Sequence, residues 1–190
     1  MEKGKIIVVS APSGAGKTTL LDHLRAQIPD LLYSISATTR APRPGEMNGV
    51  HYYFHSREEF SMMIDAGAFA EWQEVHGNYY GTPRKFVEET VAAGRTIVMD
   101  IDVYGKKKFD AVFPDSIGIF IAPPSIDELE LRLRGRKTES EKALRLRITN
   151  ARDEMEFARA RGKYEFTIVN EDLEQAKKEL VDIVRRTIGR

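Results

Sequence analysis

The chain has 190 residues, 29 basic and 29 acidic side chains, and no cysteine. That length suits one medium domain that buries its own core, and the balanced charge argues against bulk attraction to nucleic acid, so any anion site must be local. Without cysteine, disulfides, thiolate catalysis and a cysteine zinc site are excluded.

At the N-terminus, MEKGKIIVVSAPSG has an apolar run too short for a secretory signal or a bilayer span, so a soluble, cytoplasmic protein is expected. The run IIVVS (6–10) reads as a strand buried on both faces. After it comes APSGAGKT (11–18), then TTLLDHLRAQ, a probable helix. An AxxxxGKT stretch between strand and helix is a phosphate-binding loop: Gly14 and Gly16 let backbone N–H groups turn inward, Lys17 neutralises the outer phosphates, and the Thr18 hydroxyl can meet magnesium. Ala11 replaces the glycine of the full pattern, a tolerated departure where the backbone keeps an ordinary φ.

Residues 33–81 interrupt the α/β alternation with short strands, turn residues and many aromatics. Arg40 and Arg43 lie three apart in a Pro/Gly-rich loop, with Tyr52 nearby. Ser56 with Glu59, and later Ser125 with Glu128, have capping-box spacing; Thr82 then Pro83 reads as an N-cap and first helical residue. Gly67 and Gly94 are placed to close helices. Trp72 reads as core.

TIVMDI (96–101) is a second buried strand, and Asp100 ends it at the carboxyl edge, where an α/β sheet meets its ligand. DVYG (102–105) has the DxxG form of a GTP switch, but the NKxD that reads guanine in such proteins is missing from the chain. The lysines at 106–108 read as a solvated face. Further strands follow at IGIFIA (117–122) and FTIVN (166–170). Between them, residues 132–147 hold five arginines. Arg132, Arg134 and Arg145 are candidate partners of Glu139 and Glu141.

The phosphate loop identifies a donor without naming a reaction, so a nucleotide switch, a small-acceptor kinase and a non-catalytic binding module compete. The segments SISATTRAPRPGEMNGVHYYF (34–54), EWQEVHGNYYGTP (71–83) and VMDIDVYG (98–105), taken with the loop, resemble guanylate kinase along nearly the whole chain. The resemblance implies a P-loop NTPase fold: a parallel sheet flanked by helices, with an inserted monophosphate-binding segment (33–92) and an arginine-rich lid (126–158) on an ATP-binding core. It implies transfer of the γ-phosphoryl of MgATP to GMP, with dGMP as a candidate second acceptor. Matching positions for ATP are Ala11, Pro12, Ser13, Gly14, Ala15, Gly16, Lys17, Thr18 and Asn170. For GMP they are Ser36, Arg40, Arg43, Tyr52, Glu71, Tyr80, Thr82 and Asp102. Thr18 and Asp100 match the magnesium positions, and Lys17, Arg40, Asp100, Arg136 and Arg147 the catalytic ones.

The chemistry agrees with this assignment. Guanidinium forks and phenol hydroxyls suit a monophosphate. A carboxylate at Glu71 accepts from N1–H and N2–H of guanine, whereas adenine aims a lone pair at it. Tyr104 stands where the family commonly has glutamine and carries no assigned role. A kinase for another monophosphate, or a module without catalysis, remains the alternative; the latter has no use for GAGKT or Asp100. Nucleotides are the only partners expected.

Overall fold

The computed structural model describes residues 3–75, 77–135 and 140–189. A parallel sheet forms the centre, with β1 (Ile6–Ser10) in its middle, β7 (Ile97–Asp100) and β8 (Ile117–Ala122) beside it, and β2 (Leu32–Tyr33) and β9 (Phe166–Val169) at the edges. All five residues of β1 are buried. Because strand side chains alternate, Ile7 and Val9 enter one core with Leu20, Leu24 and Leu180, while Ile6 and Val8 enter another with Met99, Val87 and Phe109. Helices α1 (Lys17–Gln27) and α7 (Leu173–Ile188) cover the first face; α3 (Arg84–Ala92) and α4 (Val103–Val112) cover the second.

The segment that breaks the alternation folds into a second sheet. Its order is β4 (Tyr53–Phe54), β3 (Ala37–Thr38), β6 (Asn78–Pro83), β5 (Phe69–Val75), with β3 and β4 parallel and the other pairs antiparallel. Its separate small core is Ala37, Phe60 and Phe69, the two rings stacked 4.4 Å apart. Helix α2 (Arg57–Asp65) supplies Phe60 and begins at a full capping box between Ser56 and Glu59. The arginine-rich segment becomes α5 (Ile126–Gly135) and α6 (Glu141–Arg161), joined by Leu129, Leu133, Leu144, Ile148 and Ala151.

Three sequence expectations are corrected here. Thr82 does not cap α3: Pro83 occupies that position, and the Thr82 hydroxyl donates to Glu71 Oε1 at 2.6 Å. Lys106 is not solvated but 1% exposed, its ammonium 2.5 Å from Asp110 and 3.2 Å from Ser116. Trp72 is not core: it is 37% exposed on β5, with the Lys108 ammonium 5.8 Å from its ring. Arg134 does bind Glu141, and Glu130 as well, whereas Arg132 binds Glu128. Glu139 lies outside the described residues.

Candidate active site

The carboxyl ends of β1 and β7 open into one cleft of about 910 Å³. On its floor, the chain leaves β1 and turns through the phosphate loop, with Gly14 at φ 95° and Gly16 at φ 94°. A side chain in that left-handed region is strained, and a Cβ on Gly16 would also stand 2.4 Å from Asn170 Nδ2. Asn170 itself is buried, its amide donating to the Ala15 carbonyl at 2.8 Å. It therefore braces the loop from beneath, and its own carbonyl accepts from Arg132.

Lys17 opens α1 and donates to Asp100 Oδ2 at 2.8 Å. The other Asp100 oxygen accepts from the Tyr33 hydroxyl, so the last residues of β2 and β7 meet there. Burial alone raises the Asp100 carboxyl, but the Lys17 charge and the hydrogen bonds from Lys17 and Tyr33 outweigh it and hold the group below the usual carboxylate range. The Tyr33 phenol, buried beside that carboxylate, is raised far above its ordinary value and stays a donor. Thr18 lines the cleft one residue on.

Across the cleft stand Ser36, Arg43, Tyr52, Glu71, Tyr80 and Asp102. Arg40 makes a different set of contacts. Its guanidinium binds Glu46 at 2.9 Å and sits 5.3 Å from the Tyr52 ring centroid. Glu46 also accepts from the Arg43 N–H at 2.7 Å. Those two bonds, Arg40 first, hold the Glu46 carboxyl down to about 2, so it stays ionised and fixes the loop that carries both arginines. Glu71 is buried, and desolvation pushes its carboxyl up to about 7 despite the Thr82 hydrogen bond; nearby Asp102 adds to the rise. Asp102 caps α4, accepting from the Tyr104 and Gly105 N–H groups at 2.9 and 2.8 Å. Burial raises it, and those amides oppose the rise.

Helix α6 forms the roof. Ala143, Arg147, Asn150 and Glu154 recur at helical spacing and line the cleft together. Arg147 Nη2 reaches the Ser13 hydroxyl at 3.1 Å. Burial pushes Glu154 up to about 7, with Asp102 reinforcing it while Lys17 and the Ser13 amide oppose. Arg136 lies outside the described residues.

Comparison with known proteins fits this geometry. The family model described as guanylate kinase matches residues 3–187. The chain belongs to the guanylate kinase family. A guanylate kinase of Rubrobacter xylanophilus is 46% identical, covering 100% of this chain and 97% of that one; one from Anaeromyxobacter dehalogenans is 49% identical, covering 96% and 80%. The crystal structure of guanylate kinase from Anaplasma phagocytophilum is similar in fold, with a TM-score of 0.76 at 35% identity, over 100% of this chain and 89% of that one.

Within this guanylate kinase fold, four residues that line the cleft or hold its side chains in place carry no motif: Gln73 and Glu154 line it, while Tyr33 holds Asp100 and Glu46 holds Arg40. Tyr33 gave no signal, because a two-residue strand has no readable period. Glu46 sits three residues past Arg43, a spacing typical of a turn. Gln73 and Glu154 also carried periodic signals: Gln73 is two residues from Glu71 on a strand, and Glu154 seven from Arg147 on a helix. Among the described residues, no cluster of three His, Cys, Asp or Glu side chains is arranged to hold a metal, and no helix is long and apolar enough to cross a membrane.

Proposed function

We propose that this protein phosphorylates GMP with ATP, releasing GDP and ADP. The observation that carries the reading is one cleft with two unlike ends. At one end a glycine loop, Lys17 and Thr18 suit a triphosphate; at the other a buried carboxylate, Glu71, shares a wall with Arg43, Tyr52 and Tyr80. No other common monophosphate base offers two adjacent donors to such a carboxylate in the way guanine does. We divide the chain accordingly: residues 33–92 hold the acceptor, 126–158 form the lid, and the remainder holds ATP.

The reaction is written as direct in-line transfer. A phosphate oxygen of GMP, already ionised near neutral pH, attacks the γ-phosphorus, and the bond to the β–γ bridging oxygen breaks with its electron pair leaving on ADP. No covalent enzyme intermediate or strong general base is required. Lys17, Arg40, Arg136 and Arg147 offset the charge on the transferring group. Arg43, Tyr52 and Tyr80 orient the acceptor phosphate, Ser36, Thr82 and Asp102 support Glu71 around the base, and Asn170 keeps the loop in shape. Tyr52 stays a neutral donor, since burial, with Asp100 and Tyr80 nearby, pushes its phenol up to about 12.

Magnesium fits the donor set. Thr18 offers a hard hydroxyl oxygen and Asp100 a carboxylate kept ionised, the sparse protein contribution expected of an ion that arrives on a nucleotide. Bound there, it would neutralise charge on the donor phosphates. A cytoplasmic setting belongs to the same reading, because both substrates are intracellular nucleotides. The test is ATP consumption with GMP, dGMP, AMP, UMP and CMP in turn. Turnover on GMP, with dGMP following it and the other three inactive, is the expected result; equal turnover on AMP would refute the base assignment.

A further inference from the structure

Asp100 has two carboxylate oxygens and two unlike partners. Oδ2 accepts from the Lys17 ammonium at 2.8 Å, and Oδ1 accepts from the Tyr33 hydroxyl. The sheet sets the second contact. Tyr33 pairs with Val98 in parallel register, so its side chain shares a face with Val98 and Asp100, and Asp100 lies about 6.6 Å further along the strand. A phenol leaning along the strand spans that gap. Its ring is held by the core around Val98 and by the Arg25 guanidinium, 4.7 Å from the ring centroid. Asp100 lines the cleft, whereas Tyr33 lines a separate hollow with Leu31, Leu32 and Ile35. The hydroxyl therefore touches the carboxylate without standing among the groups that face the substrates.

The two partners differ in what a nucleotide does to them. In the reaction proposed above, Lys17 serves the donor phosphates, and an ammonium drawn to them leaves Asp100 with one donor fewer. A neutral phenol carries no charge, so the phosphates exert no comparable pull on it. We infer that Tyr33 is a positioning residue of the reaction: its hydroxyl keeps the Asp100 carboxylate fixed for magnesium while Lys17 turns to the donor phosphates. Hydrogen bonds from groups outside the coordination sphere commonly set how a ligand carboxylate points. The inference rests on the assignment of Asp100 to magnesium in that reading. It goes further by naming the group that orients the carboxylate.

The test combines kinetics with binding for the wild type, Tyr33→Phe, Asp100→Asn and the double variant, with melting temperatures measured alongside. Tyr33→Phe keeps the ring and its packing and deletes only the donor. Its kcat with GMP falls on the order of tenfold, KM for GMP is unchanged, and the magnesium concentration for half-maximal rate rises. The double variant turns over no more slowly than Asp100→Asn alone, because the hydroxyl acts through the carboxylate. Titration calorimetry with a non-hydrolysable ATP analogue gives a readout apart from turnover. Without magnesium Tyr33→Phe binds the analogue as the wild type does; with magnesium it binds several-fold more weakly. Equal weakening in both conditions, additive losses in the double variant, or an unchanged magnesium requirement would overturn the inference and leave Tyr33 a packing residue. A wild type that binds the analogue with magnesium but does not turn over GMP refutes the acceptor assignment instead, and the calorimetry still decides the role of Tyr33.

Discussion

Glu71 is the residue whose environment makes the sharpest demand. Its carboxyl ionises near pH 7 because burial penalises the charge, yet the guanine recognition proposed for it needs the charged form. KM for GMP is therefore expected to fall as pH rises through about 7, and a pH series comparing wild type with Glu71→Gln checks this: the variant loses that dependence along with on the order of 100-fold in kcat/KM. The same group has the opposite effect on stability. Its folded pKa lies above the ordinary 4.5, so the folded state keeps a proton that the unfolded chain has released. Stability from this group is full below pH 4.5 and is lost as pH rises toward 7. Lys17→Ala removes both the ammonium proposed to meet the phosphates and the partner of Asp100. Turnover in an ADP-release assay should drop on the order of 100-fold or more, a far larger effect than any shift in melting temperature.

Among the elements, those with a complete local signature were legible and those defined by tertiary contact were not. The strands β1, β7 and β8 announced themselves as unbroken apolar runs because helices cover both faces of the sheet there, whereas β9 carries a similar run but lies at the edge, with Val169 51% exposed. Ser56 with Glu59 gave the start of α2 by spacing alone, and both reciprocal bonds are present. Ser56→Ala is expected to cost about 1 kcal/mol in denaturant unfolding, with the slope unchanged. Lys106 was misread because its run KKK looks polar, while the helix turns only the first of the three toward Asp110 and Ser116. Thr82–Pro83 was misread because β6 runs on through Pro83 and spends the threonine on Glu71. Helix α4 adds a constraint of its own. A methyl on Gly105 would stand 2.6 Å from Ile101 Cγ2 and 2.9 Å from Glu71 Oε2. Gly105→Ala should therefore raise KM for GMP while leaving KM for ATP unchanged, as initial rates with each substrate varied in turn would reveal.

For the whole molecule, the family and both ends of the cleft were readable from motifs, but the way the ends are built was not. Arg40 seemed as available as Arg43 in the sequence; folded, it is anchored to Glu46 and packed over Tyr52, a pairing no local spacing specifies. The second sheet keeps its own small core around Phe60, Phe69 and Ala37, distinct from the two cores of the parallel sheet. Phe60→Ala is expected to remove about 3–5 kcal/mol. Hydrogen exchange should locate that loss in β3, β5 and β6, with protection in β1 and β8 little changed.

The brace between Asn170 and the Ala15 carbonyl joins positions 155 residues apart. During synthesis the glycine turn leaves the ribosome long before its strut does. A nascent chain thus holds a half-built cradle until β9 has docked and Asn170 reaches the Ala15 carbonyl.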